Sequence, residues 1–190
     1  MSITKNNTRM LDGIGTSANN LVQLDANAKL PAVDGSQLTN AGKLLDVYQD
    51  TSITQSSPNS TTSYNSTGLF LTITPKSSAS KFLLNFNGSV HNNLANGWVV
   101  ANIVLNPTSS TDIDTVVTDG TLLTTQDYGM AHSVINSANY RVMLSGSILH
   151  APNTTSPVTY NVVFKKHSTG NAYWAVSNGL TSLTAMEIAS

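Results

Sequence analysis

The amino-acid sequence predicts an all-β protein, an antiparallel β-sandwich of jelly-roll type carried behind an extended amino-terminal segment. Three observations predict it. Ser, Thr and Asn contribute 24, 24 and 21 of the 190 residues, only 10% of residues are charged, and Glu occurs once, at Glu187. Hydroxyl and amide side chains favour turns and strands and compete with helical backbone bonding. From Gly68 onward, apolar and polar residues alternate with a period of two, the spacing that turns one side of a strand into a core. Clusters of Ser, Asn, Gly and Pro cut these runs into short pieces at fairly even intervals, the rhythm of a sandwich. A hydrophobic content of 39% supplies the core and separates the chain from disordered polar sequences.

The chain divides into three parts. Residues 1–18 are polar, with Gly13 and Gly15 as flexible links, and form an attachment segment ordered against a partner. Residues 19–45 form a spacer. Its apolar residues Leu21, Leu24, Leu30, Val33 and Leu38 are separated by turn signals at Asp25-Ala26-Asn27-Ala28 and Asp34-Gly35, and Pro31 bars a helix or an interior strand. Pieces this short cannot enclose a core of their own. Copies around a three-fold axis would keep those side chains dry, which makes the segment a fibre shaft or collar. Residues 46–190 form the sandwich head.

Within the head, a first strand falls near Leu45 to Ile53, and residues 55–67 read as a loop almost without apolar content. Leu69, Leu71 and Ile73 line one face of a strand that stops at Pro75. Phe82, Leu84, Phe86, Gly88 and Val90 line the next, with Asn85, Asn87 and Ser89 opposite. Trp98 to Leu105 is apolar on both faces, as expected of a central strand, and Trp98 is assigned to the core. Val116 to Leu123 is a weaker strand. Val142, Leu144, Gly146 and Ile148 face inward from residues 140–150, and Val158, Tyr160, Val162 and Phe164 from the strand after it. Residues 172–176 and 180–188 complete the set, the last presenting Leu180, Met186 and Ile188 to the core.

The spacer also carries a resemblance. Asn20-Leu21-Val22-Gln23-Leu24-Asp25, Lys29-Leu30-Pro31-Ala32-Val33-Asp34-Gly35 and Leu38-Thr39-Asn40 resemble the short spacer of bacteriophage tail-fibre and related virion-fibre proteins. The match covers about a tenth of the chain. Where that family usually has Gly, this chain has Ala28, which disfavours a type I′ turn at Asn27-Ala28. The resemblance implies a homotrimeric structural virion protein, made in the host cytoplasm, that joins other virion proteins through residues 1–40 and attaches the particle to its host. The short chain keeps a head or collar fibre, or a capsid decoration protein, as alternatives in the same class. A glycan-active enzyme or a lectin unrelated to virions is the rival of a different class.

Charge and chemistry narrow the function. A net charge of −1 and the absence of a basic cluster argue against nucleic-acid binding. Cysteine is absent, which removes disulfides and thiolate metal sites. No apolar run approaches the ~20 residues of a membrane span. His91, His132, His150 and His167 are scattered without metal-ligand spacing, and each is expected at the surface or the edge of the core. Asp112, Asp114 and Asp119 form Asp-x-Asp spacing without the Gly and Glu of a calcium loop and are expected in a solvated loop. No nucleophile elbow occurs. The chain is therefore expected to be neither an enzyme nor a cofactor protein. Glycan recognition, which stacks an aromatic ring on a sugar face and reads hydroxyls with amides, is better represented. Tyr173 and Trp174 beside Asn171, together with Tyr128 and Asp127, are the candidate binding residues for a host surface glycan. Adjacent strand residues point to opposite faces, so one ring of the Tyr173-Trp174 pair must leave the core.

Overall fold

The computed structural model describes residues 44–109, 111–175 and 179–189. The attachment segment and spacer residues Leu21, Leu24, Leu30, Val33 and Leu38 lie outside the described residues. Ten strands and no helix occur among the described residues. They are β1 (Leu44–Ser52), β2 (Asn65–Ile73), β3 (Lys81–Asn92), β4 (Gly97–Leu105), β5 (Thr121–Leu122), β6 (Ala131–Ile135), β7 (Arg141–His150), β8 (Val158–Lys166), β9 (Ala172–Trp174) and β10 (Thr181–Ile188).

One sheet has the order β1-β10-β3-β7, with β9 paired to β3 beyond the end of β10. The other has the order β2-β8-β4-β5, with β6 paired to β4 further along. Every pairing is antiparallel, so each sheet is four lanes wide. The chain crosses between the sheets at nearly every connection, so lanes adjacent in sequence face each other across the core. That connectivity is the jelly roll.

The core forms where the two-residue period is cleanest. In β3, Phe82, Leu84, Phe86 and Val90 are buried while the intervening residues are half-buried. Val158, Tyr160, Val162 and Phe164 of β8 face them from the other sheet. Phe82 meets Tyr160 with ring centroids 5.9 Å apart, and Trp174 lies 6.2 Å from both Phe86 and Phe164. Each fully buried side chain of this size contributes about 1.5–3 kcal/mol. Gly88 is required beneath Trp174, because a β-carbon there would lie 2.3 Å from the indole Cζ2.

The second sheet is covered on its outer face as well, which explains the unbroken apolar character of β4. Val104 and Val163 pack there against Val117, with Tyr64 and Leu122 at the margin. Asn102, buried in the same face, donates from Nδ2 to the Thr124 carbonyl at 2.8 Å. The connection from β4 to β6 supplies this cover. It holds the region expected as strand 116–123, of which only Thr121–Leu122 pairs with β4. Gly120, with φ at +81°, turns the chain just before that short ladder.

One other expectation is corrected, one is shortened, and one strand was not expected. The face of β10 is reversed: Thr181, Leu183, Ala185 and Glu187 point inward, while Met186 and Ile188 are half-buried on the outside. Pairing decides this, since Leu183 lies opposite Phe86, Ala185 opposite Leu84 and Glu187 opposite Phe82, all inward residues of β3. The buried Glu187 carboxylate is satisfied by the Lys76 N–H at 2.7 Å and the Tyr48 hydroxyl at 3.4 Å. The expected loop at 55–67 holds over residues 55–64, and it is also part of the structural frame. Asn59 exchanges backbone hydrogen bonds with Ala172, and Ser56 clamps Trp174 through both its N–H and its hydroxyl, while β2 already begins at Asn65. Strand β6 had no counterpart in the sequence reading.

Candidate aromatic binding site

The candidate residues separate onto two surfaces. Trp174 is fully buried. It therefore offers no ring face to a ligand, which corrects its place among the binding residues. Tyr173 is the ring that leaves the core. It stacks on His91 of the neighbouring strand at 4.2 Å and 11°, on the outer face of the first sheet. Burial, with the Arg141 charge beside it, lowers the pKa of His91. Asn171 serves the adjoining loop, where its N–H donates to Asn93 Oδ1 at 2.7 Å.

Tyr128 and Asp127 lie on the other sheet, exposed in the connection between β5 and β6. Tyr128 does not stand alone. Its ring lies 5.1 Å from Trp98, 5.0 Å from His132 and 4.9 Å from His167. Trp98 in turn stacks on His132 at 5.6 Å and 10°, and its ring lies 5.9 Å from His167. Trp98 is half-buried, whereas Tyr128, His132 and His167 are exposed. The assignment of Trp98 to the core is thus corrected. It opens β4 on the outward side, beyond the end of the cover that buries Val100, Asn102 and Val104.

Local geometry builds this quartet. Trp98 lies opposite Val134, and Val100 lies opposite His132, so β6 delivers His132 one row from the indole. On the other side, His167 follows β8 directly, and its N–H donates to the Trp98 carbonyl at 3.3 Å. Tyr128 comes from a tight turn in which the Gly129 N–H donates to the Gln126 carbonyl at 2.8 Å. Gly129 has φ at +63°, and a β-carbon there would lie 2.5 Å from the Ala101 carbonyl oxygen. Only glycine lets the turn lie this close against β4, and that closeness brings the tyrosine ring over the indole. Four rings from two strands, the residue after β8 and a turn thus form one outward-facing patch. Lys165, opposite Val100, borders it and places its ammonium 4.5 Å from the Tyr64 ring centroid.

Chemically, the patch combines apolar ring faces with a phenol, an indole N–H and two imidazoles that can exchange hydrogen bonds. Such a surface suits a ligand with apolar C–H faces and a rim of hydroxyls. Beside it, Val134, Tyr140 and Val142 with Asn136 and Ser137 line an open groove of about 310 Å³. Three further ionisable groups are engaged in framework contacts. Asp114 accepts two hydrogen bonds from the Ser57 N–H, at 2.9 and 3.0 Å. Asp119 accepts from the hydroxyls and N–H groups of Thr108 and Ser109, and these bonds lower its pKa to about 2. His150 bonds the Tyr160 hydroxyl through Nδ1 at 3.0 Å, and burial lowers its pKa. Among the described residues, no group of three or more His, Cys, Asp or Glu side chains is placed to hold a metal ion.

The indole could have been recognised from the sequence only by knowing where the cover over β4 ends. The histidines gave no signal, since 35 residues separate His132 from His167 in a pairing that only the sheet brings about.

No family model matches the chain, and no curated protein matches it. Among solved structures, the chain is similar to the infectious bursal disease virus Gx strain structure, with a TM-score of 0.38 and 12% identity. That match covers 75% of this chain and 39% of the other. The crystal structure of the infectious bursal disease virus VP2 subviral particle gives a TM-score of 0.26 and 12% identity, over 75% and 41% respectively. The chain spans about two fifths of the length of each. Superposition at this level extends to neither a common site nor a common role.

Proposed function

We propose that the chain is a structural protein of a bacteriophage particle, a homotrimeric fibre protein whose head adheres to a glycan on the host surface. The observation that carries the adhesive part is the outward-facing quartet of Trp98, Tyr128, His132 and His167. A packed Trp and Tyr face left outside a well-covered sheet is apolar area that a ligand would remove from water, worth about 25 cal/mol per Å². Pyranose rings present the matching C–H faces, and the hydroxyl- and amide-rich surface of this protein suits their polar rim. The fibre part is supported by the spacer resemblance and by the need of its leucines for cover. Weak individual contacts would be multiplied by three heads per fibre and by several fibres per particle.

The test is binding of the purified full chain to host cells and to an array of bacterial surface glycans, with Tyr128→Ala and Trp98→Ala beside it. Saturable binding that both substitutions weaken supports the reading. Binding that neither substitution changes removes the quartet from it. Cleavage of a bound polysaccharide would instead favour the enzyme. Cryo-electron microscopy of the particle then distinguishes a tail fibre from a head or collar fibre or a capsid decoration.

A further inference from the structure

We infer that the quartet is one end of a longer binding track, and that the open groove between β6 and β7 takes the next sugars of a linear glycan, with Tyr140 as the second stacking ring. This rests on the glycan reading above and adds that the ligand is a chain held along its length, not a single terminal sugar. Register joins the two places. Val134 lies opposite Trp98, so it shares the outward face of the indole. Val134 also forms one wall of the groove. Strand β6 is paired with β4 alone among the described residues, which leaves its far edge toward the groove. The facing wall is Tyr140 and Val142, where the chain enters β7, the edge strand of the other sheet. From Trp98 to the groove is two lanes, about 10 Å, within reach of neighbouring sugars of one chain.

Tyr140 is placed to act as a ring platform. It is 62% exposed, against 43% for Tyr128. A pinned turn presents it: the Tyr140 N–H donates to the Ser137 carbonyl at 3.0 Å, and Asn139, with φ at +58°, donates its N–H to the Asn92 carbonyl at 3.0 Å. The backbone beneath the ring is thus ordered before a ligand arrives, which reduces the entropy lost on binding. Chemistry selects the occupant. No charged side chain lines the groove. Val134, Tyr140 and Val142 supply apolar faces, while Asn136 and Ser137, both exposed, supply an amide and a hydroxyl. Ring face and neutral hydrogen-bonding groups are combined here as at the quartet, and the combination suits a pyranose. The unpaired edge of β6 adds backbone N–H and C=O groups that can bond sugar hydroxyls. A ligand lying on Trp98 therefore continues over Val134 into the groove without meeting a charge.

Size-graded fragments of the host surface polysaccharide, titrated into the full chain and followed by calorimetry and NMR, test this. Wild type should bind fragments of four or more sugars at least tenfold more tightly than fragments of one or two, and only the longer fragments should shift the Tyr140 ring resonances. Tyr140→Ala should weaken the long fragments roughly tenfold, as expected for one stacked aromatic face, and leave the short ones unchanged. Tyr140→Phe keeps the ring and should restore binding. If Tyr140→Ala does not fold, the length dependence and the Tyr140 resonances of the wild type decide. Equal affinity for short and long fragments, with Tyr140 still, overturns the track and leaves the quartet as a site for a terminal sugar. Binding that Trp98→Ala weakens at no fragment length overturns the glycan reading, and this inference with it. Tyr140 resonances that move on dilution of the ligand-free protein assign the groove to strand pairing with a second copy. A Tyr140→Cys thiol that resists labelling in the ligand-free chain assigns it to the chain's own residues 1–43. Either result overturns the inference.

Discussion

Gly88→Ala probes how the sandwich is keyed. The new methyl would lie 2.3 Å from Trp174 Cζ2, 2.7 Å from Cε2 and 2.8 Å from Cη2, each well inside contact distance. The indole has no room to retreat, since Phe86 and Phe164 flank it at 6.2 Å and Ser56 holds its backbone on both sides. Overpacking of this kind costs about 1–3 kcal/mol. Replacing a strand glycine by alanine returns about 0.5–1 kcal/mol of chain entropy. The net loss is therefore about 0–2.5 kcal/mol, centred near 1.3 kcal/mol, and that central value lowers the midpoint of thermal unfolding by roughly 3–5 °C for a chain of this size. Circular dichroism melts read it directly. Trp174→Phe removes the clashing atoms, so the cost of Gly88→Ala in that background should fall toward zero, a coupling of about 1 kcal/mol or more. An unchanged or raised midpoint in Gly88→Ala, or strict additivity with Trp174→Phe, would refute the packing described for β3 and β9.

Protonation and framework contacts give further expectations. Burial lowers the pKa of His150 and of His91, the latter with help from Arg141. Below about pH 6.5 the unfolded chain takes up protons at these positions that the folded chain refuses. Their contribution is thus complete above pH 6.5 and lost as the pH falls, so the melting midpoint should drop between pH 7 and 5, less steeply in His150→Gln; a flat profile contradicts this. Asp119, held at about 2 by the Thr108 and Ser109 bonds, keeps its loop clamped above the ordinary carboxylate range and releases it as the pH falls through about 2. The Thr108 and Ser109 amide resonances should titrate with that midpoint, and a midpoint near 4 would dissolve the clamp. Glu187→Ala leaves the Lys76 N–H and the Tyr48 hydroxyl without their acceptor, and should cost about 1–3 kcal/mol in denaturant melts; a neutral result would mean that water replaces the carboxylate.

The fold was legible wherever burial on one face wrote a two-residue period, as in β3 and β7. It was misread where that rule does not apply. In β10, Met186 and Ile188 are apolar yet face outward, and the only glutamate faces inward, so hydrophobicity alone selects the wrong face. Residues 55–64 are the loop expected, but the burial of Ser56 and Asn59 in it was not legible, because hydropathy does not register the hydrogen bonds they contribute. The same blindness governed the site. Alternation required that one of Tyr173 and Trp174 turn outward without saying which, and Tyr128 followed from residue type. Trp98 did not, because β4 is buried on both faces except at its first turn of sheet. The quartet depends on strand register between segments far apart in sequence, and no local pattern encodes that.

The central claim is that the patch around Trp98 holds a glycan. The most direct measurement is ligand titration followed by NMR on the full chain, using the oligosaccharide repeat released from host surface polysaccharide. The account predicts that the Trp98 indole N–H and the Tyr128 and His132 ring resonances shift together on saturation. Trp98→Ala should weaken binding about 10- to 150-fold, corresponding to about 1.4–3 kcal/mol of lost contact. Saturable binding that leaves those resonances still, with its shifts confined to other surfaces, would contradict it.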